Sequence, residues 1–255
     1  MTSCATLARM RTTSSRPRRL ATASATVLAS LVLAACSGGD SSGGGSSSDE
    51  EPPTPEEVLA YAKEALDSTS GVRLSLATED EVDSDAFLKA ARGVITADPP
   101  AFEGTADGSI AGFTANDIEV RSVDGDFYVN VFGSWQEFDP AELCAPDPGG
   151  LLDPDTGVSQ VLTSATDLEA GEAQRGGADN SEVVTPYTGT VPGTAITNVL
   201  PCAPGDTFDA TFTVNSDDGR LVSAELTGEF VNGADPLTYT IDVEEYDVEQ
   251  EIAAP

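Results

Sequence analysis

Carboxylates and four cysteines are the side chains of this 255-residue chain with evident chemistry, and histidine is absent altogether. Without an imidazole, no Ser-His-Asp or Cys-His nucleophile can be assembled, and the usual zinc ligand sets lack a member. The 44 Asp and Glu residues supply carboxylate pairs at many spacings. Glycoside hydrolysis needs two such groups across a cleft with one kept protonated, and no spacing singles out a pair. Asp153-Pro154-Asp155-Thr156-Gly157 begins like a calcium loop. The EF-hand register needs glycine at position six and glutamate at position twelve, whereas here glycine comes at position five and Ser164 at position twelve. The segment reads instead as a helix start, with Asp155 or Thr156 as N-cap for Val158, Val161, Leu162 and Ala165. No glycine-rich phosphate loop opens a helix after a strand. The expectation is a protein that is not an enzyme and takes neither cofactor nor metal.

The cysteines divide by position. Cys36 follows Leu33-Ala34-Ala35 at the end of the apolar run 21–35, behind a head carrying Arg9, Arg11, Arg16, Arg18 and Arg19. A basic head, a short apolar segment and small residues before a cut make a secretory signal. With cysteine next, the pattern resembles the lipobox of bacterial lipoproteins, in which the thiol is acylated and the cysteine becomes residue one. Residues 1–35 are then a signal peptide and Cys36 the lipidation site, holding the protein outside the cell membrane, on its outer face. The apolar run is too short and too polar to span a bilayer, which takes about 20 apolar residues. Cys4 leaves with the signal. Cys144 and Cys202 remain as two thiols in an oxidising compartment and are expected to pair; the alternative is two free thiols. Their bridge would enclose about 57 residues and stabilise by roughly 4 kcal/mol on chain-entropy arithmetic.

Beyond residue 35 the chain keeps seven of its 12 basic residues and all 44 acidic ones, a net charge of −37. Nucleic acid is excluded as a partner, because binding it requires cations that neutralise phosphates. The acidity reads as solvation. The Gly/Ser tract 37–48 and the acidic 49–53 have little to bury, so residues 36–53 form a flexible linker.

Order begins at Thr54. Thr54-Pro55-Glu56-Glu57 is a capping box, and Val58, Tyr61, Ala62, Ala65 and Leu66 then share a helical face, with Gly71 as the stop. Val72, Leu74 and Leu76 alternate as in a strand. Residues 78–85 form an acidic loop. Phe87-Leu88-Lys89-Ala90-Ala91 fits helix or strand. Strands follow over 101–110 and 117–123, Asp124-Gly125 turns the chain, and Phe127, Val129 and Val131 share a face across from Ile118 and Val120. Trp135–Phe138, 166–172 and 182–190 are further strands, 140–148 is a proline-punctuated loop holding Cys144, and 195–200 a short helix. In the last third, Phe208 to Val214, Val222 to Phe230 and Leu237 to Val243 alternate apolar and polar residues and are joined by tight turns. This is an antiparallel meander with one wet face and one that the few helices must cover.

At this point a family resemblance is visible. Leu152 to Val158 with the helix 159–165, Ile95-Thr96-Ala97-Asp98-Pro99, Val123-Asp124-Gly125-Asp126-Phe127-Tyr128-Val129 and Trp135-Gln136-Glu137-Phe138 resemble, in order, motifs of the LppX/LprA/LprF/LprG lipoproteins of mycobacteria and related actinobacteria. The resemblance covers roughly residues 36–248. It implies an α+β fold: a single LolA/LolB-like domain over 54–255, built as a strongly curved antiparallel β-sheet, or half-barrel, with a few α-helices on its concave face. It implies that an apolar cavity there binds acylated lipids or glycolipids, which the protein carries between envelope layers as a monomer. Leu74, Leu76, Ile118, Val120, Phe127, Val129, Val161, Leu162, Phe212, Leu226 and Ile241 are the candidate cavity residues. The same alternating side chains would equally line a solid core, so the alternative is a tethered acidic interaction module with no lipid. The acidity points away from an anionic ligand and toward a neutral lipid.

Overall fold

The computed structural model describes residues 52–82, 84, 87–110, 113–177 and 180–255. Cys36, the signal and nearly all of the linker lie outside the described residues.

The first helix, α1 (Pro55–Asp67), starts as its sequence dictates. Thr54 Oγ1 accepts from the Glu57 amide at 3.3 Å, and Glu57 Oε2 accepts from the Thr54 amide at 2.8 Å. Its buried stripe is Leu59, Ala62 and Leu66. Tyr61, expected on that face, is exposed, because the stripe is centred one residue earlier. The helix ends at a cap on Ser68, and Gly71 is not its stop. Gly71 opens a strand, where a Cβ would sit 2.6 Å from the Val248 carbonyl and 2.7 Å from that of Ile95.

The strands of the first half are β1 (Gly71–Ala77), β2 (Phe87–Ala97), β3 (Pro100–Ile110), β4 (Phe113–Val123), β5 (Asp126–Val131) and β6 (Ser134–Phe138). A short helix α2 (Ser159–Ser164) follows, then β7 (Thr166–Ala170), β8 (Gln174–Gly176), β9 (Glu182–Pro192), α3 (Gly193–Ile196), β10 (Thr207–Asn215), β11 (Leu221–Gly228) and β12 (Leu237–Tyr246). All the pairings are antiparallel, and together they make one 12-stranded sheet in the order β6-β5-β4-β3-β2-β1-β12-β11-β10-β9-β7, with β8 also on β9. The β1–β12 ladder joins the two halves. The sheet is not closed: β6 and β7 are its two ends.

Three expectations are corrected. The segment 87–91 is strand throughout, since its backbone pairs with β1 on one side and β3 on the other. Strand β4 begins at Phe113, four residues before the apolar alternation becomes visible. In β11 the buried residues are Leu221, Ala224 and Leu226, with Val222 only half-buried, because the register against β10 shifts between Thr213 and Val214. A bulge of this kind moves one residue to the other face.

One face of the sheet is apolar and holds the helices. Phe208, Phe212, Val191, Ile95 and Val72 are nearly inaccessible there, packed with Leu59 and Ile196 in a single core. The opposite face of β9 to β12 carries Thr188, Asp209, Glu225 and Thr238. That division follows from the period of two in the strands.

Candidate functional site

The apolar face is not filled. Between the sheet and its helices lies a cavity of about 250 Å³. Its walls come from β1 to β5 on one side and β10 to β12 on the other, so the sheet curls around it as a half-barrel. Leu66 of α1 and Val161 and Leu162 of α2 form part of the cover.

Nine of the eleven candidate residues line this space: Leu74, Leu76, Val120, Phe127, Val161, Leu162, Phe212, Leu226 and Ile241. Ile118 and Val129 do not. Val129 is buried against its neighbours, opposite Val120 in the β4–β5 ladder. Ile118 lies outside that ladder, which spans Val120–Val123, and is half-buried at the margin of the core.

The remainder of the cover is a loop. Ala145, Pro146, Pro148, Leu151 and Leu152 all face the cavity, as do Val199 and Leu200 after α3. Cys144 and Cys202 are bonded, with Cα atoms 5.3 Å apart, and this bridge ties the loop to the segment after α3. A second tie is polar. Asp147 Oδ1 accepts from the buried Ser122 hydroxyl of β4 and from the Gly149 amide at 3.0 Å. Sequence reasoning takes 140–148 only as the loop that holds Cys144. Its apolar, proline-stiffened run next to that cysteine is the signal that it closes onto the core.

The turn 153–157 holds α2 in place, in a manner different from the expected cap. Helix α2 begins at Ser159 with no side-chain cap. Neither Asp155 nor Thr156 serves; Asp153 Oδ1 accepts from the Asp155 amide, the Thr156 amide and the Thr156 hydroxyl, at 2.8–2.9 Å. Those bonds, the Thr156 hydroxyl foremost, hold the Asp153 carboxyl below its ordinary range, since each favours the charged form. The buried Ser159 hydroxyl donates to Asp67 at 2.6 Å and so fastens α2 to α1.

The cavity lining is almost wholly hydrocarbon, and no charged side chain belongs to it. Its phenol, Tyr239, donates to the Leu88 carbonyl, and burial pushes its ionisation well above the ordinary tyrosine range. It is a neutral, occupied donor. The seven cations lie elsewhere, and six of them pair with carboxylates, among them Arg92 with Asp117 at 2.5 Å and Arg220 with Asp247 at 2.8 Å. The seventh, Arg175, donates to the Ser181 carbonyl at 3.0 Å. Among the described residues no group of three His, Cys, Asp or Glu side chains could hold a metal ion, and no helix is long and apolar enough to cross a membrane. An apolar, enclosed space with neither nucleophile nor charge can take up hydrocarbon, and there is no acid–base pair in it to do more.

Comparison with known proteins agrees with this architecture. The sequence matches the LppX_LprAFG lipoprotein family over residues 54–253. The fold is similar to that of LprF from Mycobacterium bovis (TM-score 0.65, 16% identity, covering 79% of this chain and 96% of that one). It is also similar to the Mycobacterium tuberculosis lipoprotein LppX (TM-score 0.59, 19% identity, covering 80% of this chain and all of that one). A search of curated protein sequences finds no match.

Proposed function

Given that the chain belongs to the LppX_LprAFG lipoprotein family, we propose that it is an exported lipoprotein that binds acyl-chain lipid in its half-barrel and carries it between envelope layers. The observation that supports this reading is the uncharged, hydrocarbon-lined cavity between sheet and helices. Burying acyl chains there yields roughly 0.8 kcal/mol per CH₂, so no covalent chemistry is required of the protein. In this reading residues 1–35 are a signal peptide and Cys36 carries the acyl anchor. Residues 36–53 act as a coil that lets the domain reach the bilayer from which it loads.

The test uses a Cys36→Ala variant of the full chain, exported without its anchor. It is expected in the soluble fraction, whereas the unaltered protein sediments with membranes. Purified, it should yield lipid to organic extraction, seen by mass spectrometry, and take up a fluorescent fatty-acyl probe. No extracted lipid together with no uptake would overturn the proposal, and a Cys36→Ala protein still bound to membranes would overturn the anchoring.

A further inference from the structure

The cavity's size and charge say more about the ligand than that it is a lipid. This inference rests on the lipid-binding reading above. Size comes first. An apolar cavity of about 150 Å³ accepts one benzene ring, so 250 Å³ accommodates about ten carbon atoms on the same scale. That is one acyl chain of moderate length. Drug-sized ligands occupy pockets of about 300–1,000 Å³, and a two-chain lipid needs at least twice the hydrocarbon volume of a single chain.

The walls limit any enlargement. Cys144–Cys202 and the Asp147 bonds to Ser122 and Gly149 tie down the covering loop. The Ser159–Asp67 bond and the Lys63–Asp67 pair join the two covering helices. The roof is fastened at several points, and a second chain would have to break more than one of them.

Charge comes second. No cation lines the cavity, and six of the seven cations are already neutralised by carboxylates. A fatty-acid carboxylate or a phosphate entering headgroup-last would find no counter-ion, and the chain's excess of acids would repel it. A hydroxyl or ester headgroup meets neither obstacle.

We infer that the ligand is a single-chain lipid with an uncharged headgroup, of the monoacylglycerol or fatty-alcohol class, with a chain of about ten to twelve carbons.

The experiment titrates the full-length Cys36→Ala protein, stripped of lipid, with four probes of matched chain length: 1-monodecanoylglycerol, decanol, decanoic acid and didecanoylglycerol. Binding is counted by native mass spectrometry and measured by calorimetry. The expected result at pH 7.5 is one monodecanoylglycerol or decanol per protein. Decanoic acid should bind at least tenfold more weakly, and the gap should close as pH falls below the usual carboxylate range. Didecanoylglycerol should also bind at least tenfold more weakly. Equal binding of didecanoylglycerol overturns the single-chain limit. Decanoic acid binding equally well at pH 7.5 overturns the uncharged headgroup. Failure of all four probes, in a protein that retains its cooperative unfolding, sinks the lipid-binding reading itself. A Leu226→Trp variant guards the positive result: it should lose the binding of every probe, and retained binding would place the ligand outside the cavity.

Discussion

Gly93 and Gly104 face each other across the β2–β3 ladder, and the ring of Phe102 lies where both of their Cβ atoms would be, its Cζ 2.6 Å from the Gly104 position and 2.8 Å from that of Gly93. The two glycines thus leave a bare patch of backbone on the concave face, and an aromatic ring from the cavity wall lies down on it. Glycines inside strands mark such close approaches. A side chain at Gly104 would also meet the Arg92 carbonyl and the Gly93 Cα, so the backbone itself must give way. Gly104→Ala is therefore expected to lower stability by roughly 1–3 kcal/mol, read from urea unfolding. An unchanged midpoint would show that the ladder has slack here.

The bridge between Cys144 and Cys202 should act on two properties. With a sequence separation of 58, its loss in a Cys144→Ser, Cys202→Ser double variant should cost about 4 kcal/mol on the loop-entropy scale. It also frees the roof, since Ala145 and Pro146 follow one cysteine and Val199 and Leu200 precede the other. Release of bound fluorescent lipid should accelerate in the variant under conditions where both proteins remain folded. Slower unfolding without faster release would confine the bridge to stability alone.

Phe132 stands fully exposed at the β5–β6 turn with φ +53°. A bulky side chain in the left-handed region costs roughly 1–2 kcal/mol, and nothing is buried here to offset it. The β4–β5 turn, by contrast, places Asp124 and Gly125 at positive φ, residue types that accept it. Phe132→Asn is expected to stabilise by about 0.5–1 kcal/mol, measured by chemical denaturation. A loss of stability would mean that the ring has a role in the folded chain.

Two carboxylates should respond to pH with opposite signs. Thr156 and the two amides hold the Asp153 carboxyl below its ordinary value of 3.8. Such a group contributes stability above the unfolded value that is lost as pH falls through the folded one. Burial, and then the nearby Glu244 charge, push Asp242 up; its charged form opposes folding at neutral pH and stops doing so as it is protonated. Asp153→Asn should thus destabilise at pH 7, and Asp242→Asn should stabilise. Both differences should shrink on acidification toward and below the ordinary carboxylate range, in a series of thermal unfolding curves. Differences that stay constant with pH would assign these effects to shape rather than charge.

Much of this architecture is legible in the residues because it is local. The Thr54–Glu57 box, the alternation in β1 and β12 and the Asp124-Gly125 turn each depend on residues within one element. What escaped is non-local. Phe87 to Ala91 has helix-forming residues, and only the two ladders flanking it make it a strand, a tertiary override of propensity. The bulge that exchanges Leu221 for Val222 depends on how β10 meets β11. That 145–152 forms a roof follows from a covalent bond to a residue 58 positions away. Nine lining residues were readable because a period of two sorts faces, whereas Val129 shares the face of Phe127 and yet is sealed by its neighbours. Periodicity reports a face; it cannot report whether the space before that face is filled.

Ala224 provides the test of that last point. It lines the cavity between Phe212 on β10 and Ile241 on β12, its direct partners across the two ladders, and both line the cavity as well. If the space before it is empty, Ala224→Leu adds three carbons to a void and should stabilise by about 1–2 kcal/mol, since each buried CH₂ contributes about 0.8 kcal/mol and the new side chain loses rotamer freedom. The same carbons take up room that the ligand needs, so acyl-probe binding should fall at least tenfold. A solid core predicts the reverse for stability, because overpacking costs about 1–3 kcal/mol. A more stable protein that binds less lipid is thus the signature of a true cavity. A less stable one would instead favour a tethered module whose sheet and helices are packed solid.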